Sequence, residues 1–138
     1  MMNLENEWIK AALQDLSTIK YIVKDDYLTS VSSFHSEQSV EKCFKAILIH
    51  KEKRFSKIHD IRRLHKSIKN EIPLTEKETQ ILMTLNELYT DSRYPGDMGL
   101  LPYGKPTLED AKEFYEFALD IFDRVCKLLN IDPEEVKK

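Results

Sequence analysis

The sequence predicts an all-α fold, an antiparallel up-and-down bundle of four long helices and one short one. Three observations predict it. Apolar residues recur at i, i+3, i+4 and i+7 along most of the chain and nowhere alternate as in a strand. Helix-start signals, Thr75-x2-Glu78 and Thr107-x2-Asp110, stand directly before two of these stripes. Only three glycines occur in 138 residues, and 33% of the residues are charged, a composition suited to compact helices.

The first helix is expected from about residue 4 to 24, where Trp8, Ile9, Ala12, Leu13, Leu16, Ile19 and Val23 keep helical spacing and Asp25-Asp26 ends the run. The second runs from Tyr27 or Thr29 to His50, with hydroxyls near position 30 able to accept its first free amide protons. Residues Lys51 to Lys57 lack apolar periodicity and read as a loop. Ile58, Ile61, Leu64 and Ile68 give a short third helix from about His59 to Lys69, closed by Asn70 and Pro73. The fourth follows Thr75 through Ile81, Leu82, Leu85, Leu88 and Tyr89 to about Ser92. Tyr94 to Pro106 then gathers all three glycines and three of the five prolines, so it is the one long loop. The last helix starts after Thr107 and buries Ala111, Phe114, Ala118, Ile121, Val125 and Leu128. These stripes place a single domain over 1–138, with its core at about 5–129 and a frayed tail at 130–138. Phe114, Tyr115, Phe117, Ile121 and Phe122 cover more than one face of the last helix, which points to a homodimer.

Composition narrows the function. The chain is long enough to bury about two-thirds of its unfolded surface without disulfide or metal staples. Cys43 and Cys126 sit inside apolar helical patterns, with no neighbouring thiol to form a redox or metal pair, so a reduced, cytoplasmic protein is expected. Glu5, Glu7 and Asp15 interrupt the N-terminal apolar residues, and no run of 18 apolar residues exists, which argues against a signal peptide and a membrane span. Basic and acidic residues, 21 and 24, are mixed along the chain, so no broad positive field is expected. A local strip at Lys51, Lys53, Arg54, Lys57, Arg62, Arg63 and Lys66 reads first as a solvated surface, since Phe55 is its one aromatic.

The candidate site begins on the second helix. His35, Gln38, Glu41, Lys42 and Lys45 fall within an arc of about 120° on a helix, with Val40, Cys43, Phe44, Ile47 and Leu48 opposite. That face reads as a salt-bridged surface, or as a polar pocket if Arg93 meets it across the bundle. His59-Asp60 reads either as an imidazole oriented by a carboxylate or as the start of the third helix. Arg93 ends a helix at the long loop, where a guanidinium and backbone amides can converge on a phosphate and Tyr89 and Tyr94 can stack on a base. Arg93 as a C-terminal cation on helical carbonyls, and Tyr89 as core, are the plain alternatives. His35, His50, His59 and His65 have no spacing that would present a compact ligand set, so no metal and no cofactor are expected.

Taken together, Phe34-His35-x2-Gln38-x2-Glu41-Lys42-x2-Lys45-Ala46, His59-Asp60-x3-Leu64, Leu88-Tyr89-x2-Ser92-Arg93-Tyr94-Pro95 and Thr107-x2-Asp110-Ala111 resemble the HEPN family, the higher-eukaryote and prokaryote nucleotide-binding domain. The order and spacing match over about residues 5–129. The resemblance implies a small helical bundle that forms homodimers and is commonly partnered with a minimal nucleotidyltransferase in two-component, toxin–antitoxin-like modules. Many members are metal-independent ribonucleases, whose motif is an Arg followed four to six residues later by a His. Arg93 matches the Arg, but no His follows His65 in this chain. Arg54-x4-His59 has the spacing, in the loop between the second and third helices. The cleavage chemistry needs a proton acceptor near neutral pH and a fixed cation for the developing phosphorane charge, which His and Arg supply.

Three readings follow. The chain is a HEPN module that binds nucleotide or RNA phosphate and pairs with a nucleotidyltransferase, with Arg93, Tyr89, Tyr94, His59, Asp60, Gln38, Glu41, Lys42 and Lys45 as its lining. Alternatively it is a ribonuclease that uses Arg93 or Arg54 and His59, or a helical dimerisation scaffold without ligand.

Overall fold

In the computed structural model, residues 3–55, 57–90 and 104–138 are described. The helices are α1 (Leu4–Ile22), α2 (Thr29–His50), α3 (Ile61–Lys66), α4 (Glu76–Thr90), α5 (Leu108–Leu129) and α6 (Pro133–Val136), with a single 3₁₀ turn at Asp26–Leu28 before α2. Among the described residues there are no paired strands of a sheet, and the all-α bundle expected from periodicity is the fold observed.

α2 occupies the centre. It packs most extensively on α1 and α5 and also touches α3 and α4. Pairings between the first two helices fix their sense, because residue number rises on one as it falls on the other. Glu5 meets His50, the Ser39 hydroxyl donates to Ala12 O, and Asp15 meets His35. The helices are therefore antiparallel. The core joins Ile9, Ile19, Phe44, Ile47, Leu64, Leu85, Phe114 and Ile121, each at most 2% exposed. Burial of this apolar surface is the main force holding the helices together.

Local chemistry sets the helix ends. Asn3 accepts from Asn6 N at the start of α1. Thr75 and Glu78 exchange side-chain-to-backbone bonds of 2.9 and 3.1 Å before α4, and Thr107 and Asp110 do the same before α5. Both are reciprocal capping boxes. α3 is shorter than the expected His59–Lys69. At Ser67 and Ile68 the backbone bonds reach back three residues, Ser67 N to Leu64 O and Ile68 N to His65 O, while Ile68 and Ile72 plug the core. Anchoring both isoleucines favours a tight turn over another turn of α-helix.

Two expectations need correction. Residues 130–138, expected as a frayed tail, hold a short helix. Asp132 caps α6, Pro133 stands in its first turn, and Val136 joins the core at 9% exposure beside α1. The large side chains of α5 do not leave a second apolar face either. Phe114, Phe117, Ile121 and Phe122 are all buried and Tyr115 packs against the same core, so one chain accounts for them.

α2 and α5 end in the same way with different residues. Lys53 N bonds Leu48 O and Glu52 N bonds Ile49 O, with Glu52 at φ 57°; Ile131 N bonds Cys126 O and Asn130 N bonds Lys127 O, with Asn130 at φ 56°. This is the Schellman closure, which needs a left-handed residue. Asn adopts that conformation at lower cost than Glu, because its short polar side chain can hydrogen-bond the local backbone and offset the Cβ crowding that both residues meet. Replacing Glu52 by Gly should raise stability by about 0.5–1 kcal/mol in urea unfolding; Asn130→Ala should lower it.

Candidate functional site

A helix surrounded by neighbours has little solvent face, and α2 shows the consequence. Glu37, Glu41 and Lys45 are 2%, 5% and 5% exposed. Of the polar face read from the sequence, Glu41 and Lys45 are interior while His35, Gln38 and Lys42 are half-buried at its edge, and the buried charges are paired. Glu41 Oε2 accepts from Lys45 Nζ at 2.7 Å and from His59 Nδ1 at 3.1 Å. The Lys45 ammonium also lies 5.3 Å from the Trp8 ring centroid and 5.5 Å from that of Phe55. These rings meet edge to face at 5.9 Å. A carboxylate and two π-faces thereby replace the water lost by the buried cation.

The second cluster centres on Asp15 of α1, 7% exposed. Its two oxygens accept separately, Oδ1 from His35 Nδ1 at 2.8 Å and Oδ2 from Lys42 Nζ at 2.7 Å. Between the clusters lies Glu37, whose Oε2 accepts from Gln38 Nε2 at 2.7 Å. Burial pushes the Glu37 carboxyl up to about 8; the Gln38 bond opposes the shift, and the nearby Glu41 and Asp15 reinforce it.

His59 differs from the rest. Its side chain is 70% exposed while its carboxylate partner is 6% exposed, so Glu41 holds Nδ1 and the rest of the ring faces outward. The backbone around it is fixed. Ile58 N bonds Phe55 O at 2.8 Å, and Ile61 is fully buried with its amide on Asn86 Oδ1 of α4 at 3.1 Å. Asp60 does not orient His59. Its Oδ1 caps α3 by accepting from Arg63 N at 3.1 Å, and Glu41 supplies the orienting carboxylate.

The structure therefore joins Glu41, Lys45 and His59, and places Gln38 and Lys42 in the adjoining network with internal partners. These side chains form a closed interface between elements. Arg54 is exposed in the loop before His59. Arg93, Tyr94 and the side chain of Tyr89 lie outside the described residues. Sequence reading missed Asp15, Glu37, Trp8, Phe55 and Asn86. A signal existed for Glu37, since Glu37-x3-Glu41 sets like charges one turn apart, unfavourable unless a proton or cation intervenes.

Burial raises both thiols, Cys126 to about 11 and Cys43 further, so neither is a ready nucleophile. Among the described residues, no group of His, Cys, Asp and Glu is placed to hold a metal ion, and no helix is long and apolar enough to cross a membrane.

A sequence model of the HEPN domain matches residues 5–129. The fold is similar to the crystal structure of an archaeal HEPN homologue, with a TM-score of 0.62 and 27% identity over 92% of this chain and 98% of the other. No curated protein matches the sequence.

Removing one member of the buried pair strands the other. Glu41→Ala should cost about 3–5 kcal/mol by urea unfolding. Glu41→Leu combined with Lys45→Met should cost clearly less than either single change, because no uncompensated charge stays inside.

Proposed function

Because the chain belongs to the HEPN domain family, we propose that it is a single-domain module that binds the phosphate of a nucleotide or RNA and pairs with a minimal nucleotidyltransferase in a two-component, toxin–antitoxin-like system. The observation that carries the binding half is His59, an exposed imidazole tethered through Nδ1 to a buried carboxylate. A ring held this way presents Nε2 at a fixed place, ready to meet a phosphate oxygen when protonated or to accept a proton when neutral. Charge supports the same surface. Residues 51–70 hold eight Lys and Arg against two acids, and Lys53, Arg54, Lys57, Arg62, Arg63 and Lys66 are exposed. One of the acids, Asp60, is occupied by its helix cap. A positive patch on a chain of net charge −3 favours a local anionic ligand over long duplex binding.

The nucleotidyltransferase partner and the homodimer rest on the family resemblance. Two buried free cysteines agree with a cytoplasmic protein. Arg93 with Tyr89 and Tyr94 belongs to the proposed lining through its match to the family motif. Gln38, Glu41, Lys42 and Lys45 support that lining from within, and Asp60 fixes the turn.

A second reading draws on the same Glu41–His59 pair. A carboxylate-oriented imidazole with its other nitrogen outward is the arrangement of a general base, so a metal-independent ribonuclease using His59 with Arg54 or Arg93 is the alternative. Single-stranded RNA titrated in the presence of chelator separates the two. The binding module predicts saturable, salt-sensitive binding without cleavage, weakened roughly tenfold, about 1.4 kcal/mol, by His59→Ala. Equal binding by His59→Ala would contradict the reading. Cleavage lost in both His59→Ala and Arg54→Ala, or in both His59→Ala and Arg93→Ala, would replace it with the ribonuclease.

A further inference from the structure

Glu41 Oε2 is fully engaged, by Lys45 and His59, yet its other oxygen, Oε1, is buried with no conventional donor among the described residues. A buried carboxylate oxygen without a donor is costly. The carboxyl that touches Glu41 is Glu37, one turn earlier on α2 and 2% exposed. Two ionised carboxylates in contact would repel, whereas a protonated one is a donor. Gln38 Nε2 donates to Glu37 Oε2, which leaves Glu37 Oε1 as the oxygen to carry a proton.

Charge balance points the same way. The groups facing Glu37 are Asp15 from α1 and Gln38 and Glu41 from α2; Lys42 and His35 are paired to Asp15, and Lys45 and His59 to Glu41. Asp15 and Glu41 are balanced by Lys42 and Lys45 when both imidazoles are neutral. An ionised Glu37 would add an uncompensated buried charge; a protonated Glu37 closes the network.

We propose that Glu37 is a positioning residue for His59: it keeps a proton, donates it to Glu41 Oε1, and so holds the Glu41 carboxylate where Oε2 fixes the imidazole in its Nδ1–H tautomer. The chain of contacts runs from half-buried Gln38 through the buried Glu37 and Glu41 to the exposed ring of His59. Its importance for ligand binding rests on the proposed role of His59, but the proton and the tautomer are properties of the free protein.

The burial that raises Glu37 also gives a sign. The folded chain holds one more proton than the unfolded chain between about 4.5 and about 8, so stability from the neutral form is complete below that window and declines as pH rises through it.

The test is NMR on the free protein, reading the Glu37 carboxyl carbon and the His59 ring nitrogens, beside Glu37→Gln and Glu37→Leu. The wild type should show a protonated Glu37 at pH 7 and Nδ1–H on neutral His59. Glu37→Gln, whose amide donates from the same place, should keep that tautomer, and its urea midpoint should lose the decline between pH 5 and 8. Glu37→Leu should shift His59 towards a mixture rich in Nε2–H. An ionised Glu37 at pH 7, or the wild-type tautomer in folded Glu37→Leu, overturns the proposal. If Glu37→Leu does not fold, the wild-type titration and the flat Glu37→Gln profile decide. Absence of RNA binding by the wild type, with the protonated Glu37 and the His59 tautomer as expected, counts against the function proposed for His59 and leaves the role of Glu37 standing.

Discussion

The structure depends on one constraint: α2 is enclosed, so every charge on it must be neutralised by a group within one turn or on a neighbouring element. Glu41 and Lys45 meet this within the helix, and the aromatic faces of Trp8 and Phe55 complete the surroundings of the lysine. Lys42 and His35 meet it by sharing Asp15 of α1. Such pairs add little net stability over apolar side chains, but an alternative packing that separates them is heavily penalised. Sliding α1 along α2 by one turn would strand Asp15 and Lys42. The polar network thereby penalises a change of register in addition to the apolar core.

The same constraint selects what faces outward. Lys45 and Glu41 are committed to each other, and His59 is the hydrogen-bonding partner of Glu41 that faces outward. The loop from α2 to α3 is pinned by Phe55 against Trp8 and by Ile61 on Asn86, and it delivers the imidazole at the rim of a basic segment. A loop held at both ends presents a side chain with less entropy to lose on binding than a free one. The exposed His59 is thus the outlet of an interior network that starts at Glu37.

The helices and both capping boxes were legible because periodicity and cap chemistry are local. So was the clustering of His35, Gln38, Glu41, Lys42 and Lys45, which follows from helical geometry. Their burial was not legible. Polarity suggests solvent, and only the packing of α1, α3, α4 and α5 around α2 reveals that Glu41 and Lys45 are interior and the rest of the face half-buried. Asp15 was hidden for a related reason: on α1 it reads as an ordinary polar position, and its role appears only when His35 and Lys42 arrive from a distant segment. The tail was misread because its composition is mostly polar and Ile131 and Val136 form no periodic stripe, yet Asp132, Pro133 and the left-handed Asn130 turn it back onto α1.

The enclosed state of the Glu41–Lys45 pair carries the whole account, and proton exchange at the Lys45 ammonium tests it most directly. In ¹⁵N spectra at neutral pH, a lysine buried against a carboxylate and two rings should give a resolved ammonium signal that exchanges slowly with water, while exposed lysines such as Lys57 and Lys66 exchange too fast to be seen. Slow exchange at Lys45 is the result expected. Exchange at Lys45 as fast as at the exposed lysines would show that the face is open to solvent and contradict the account.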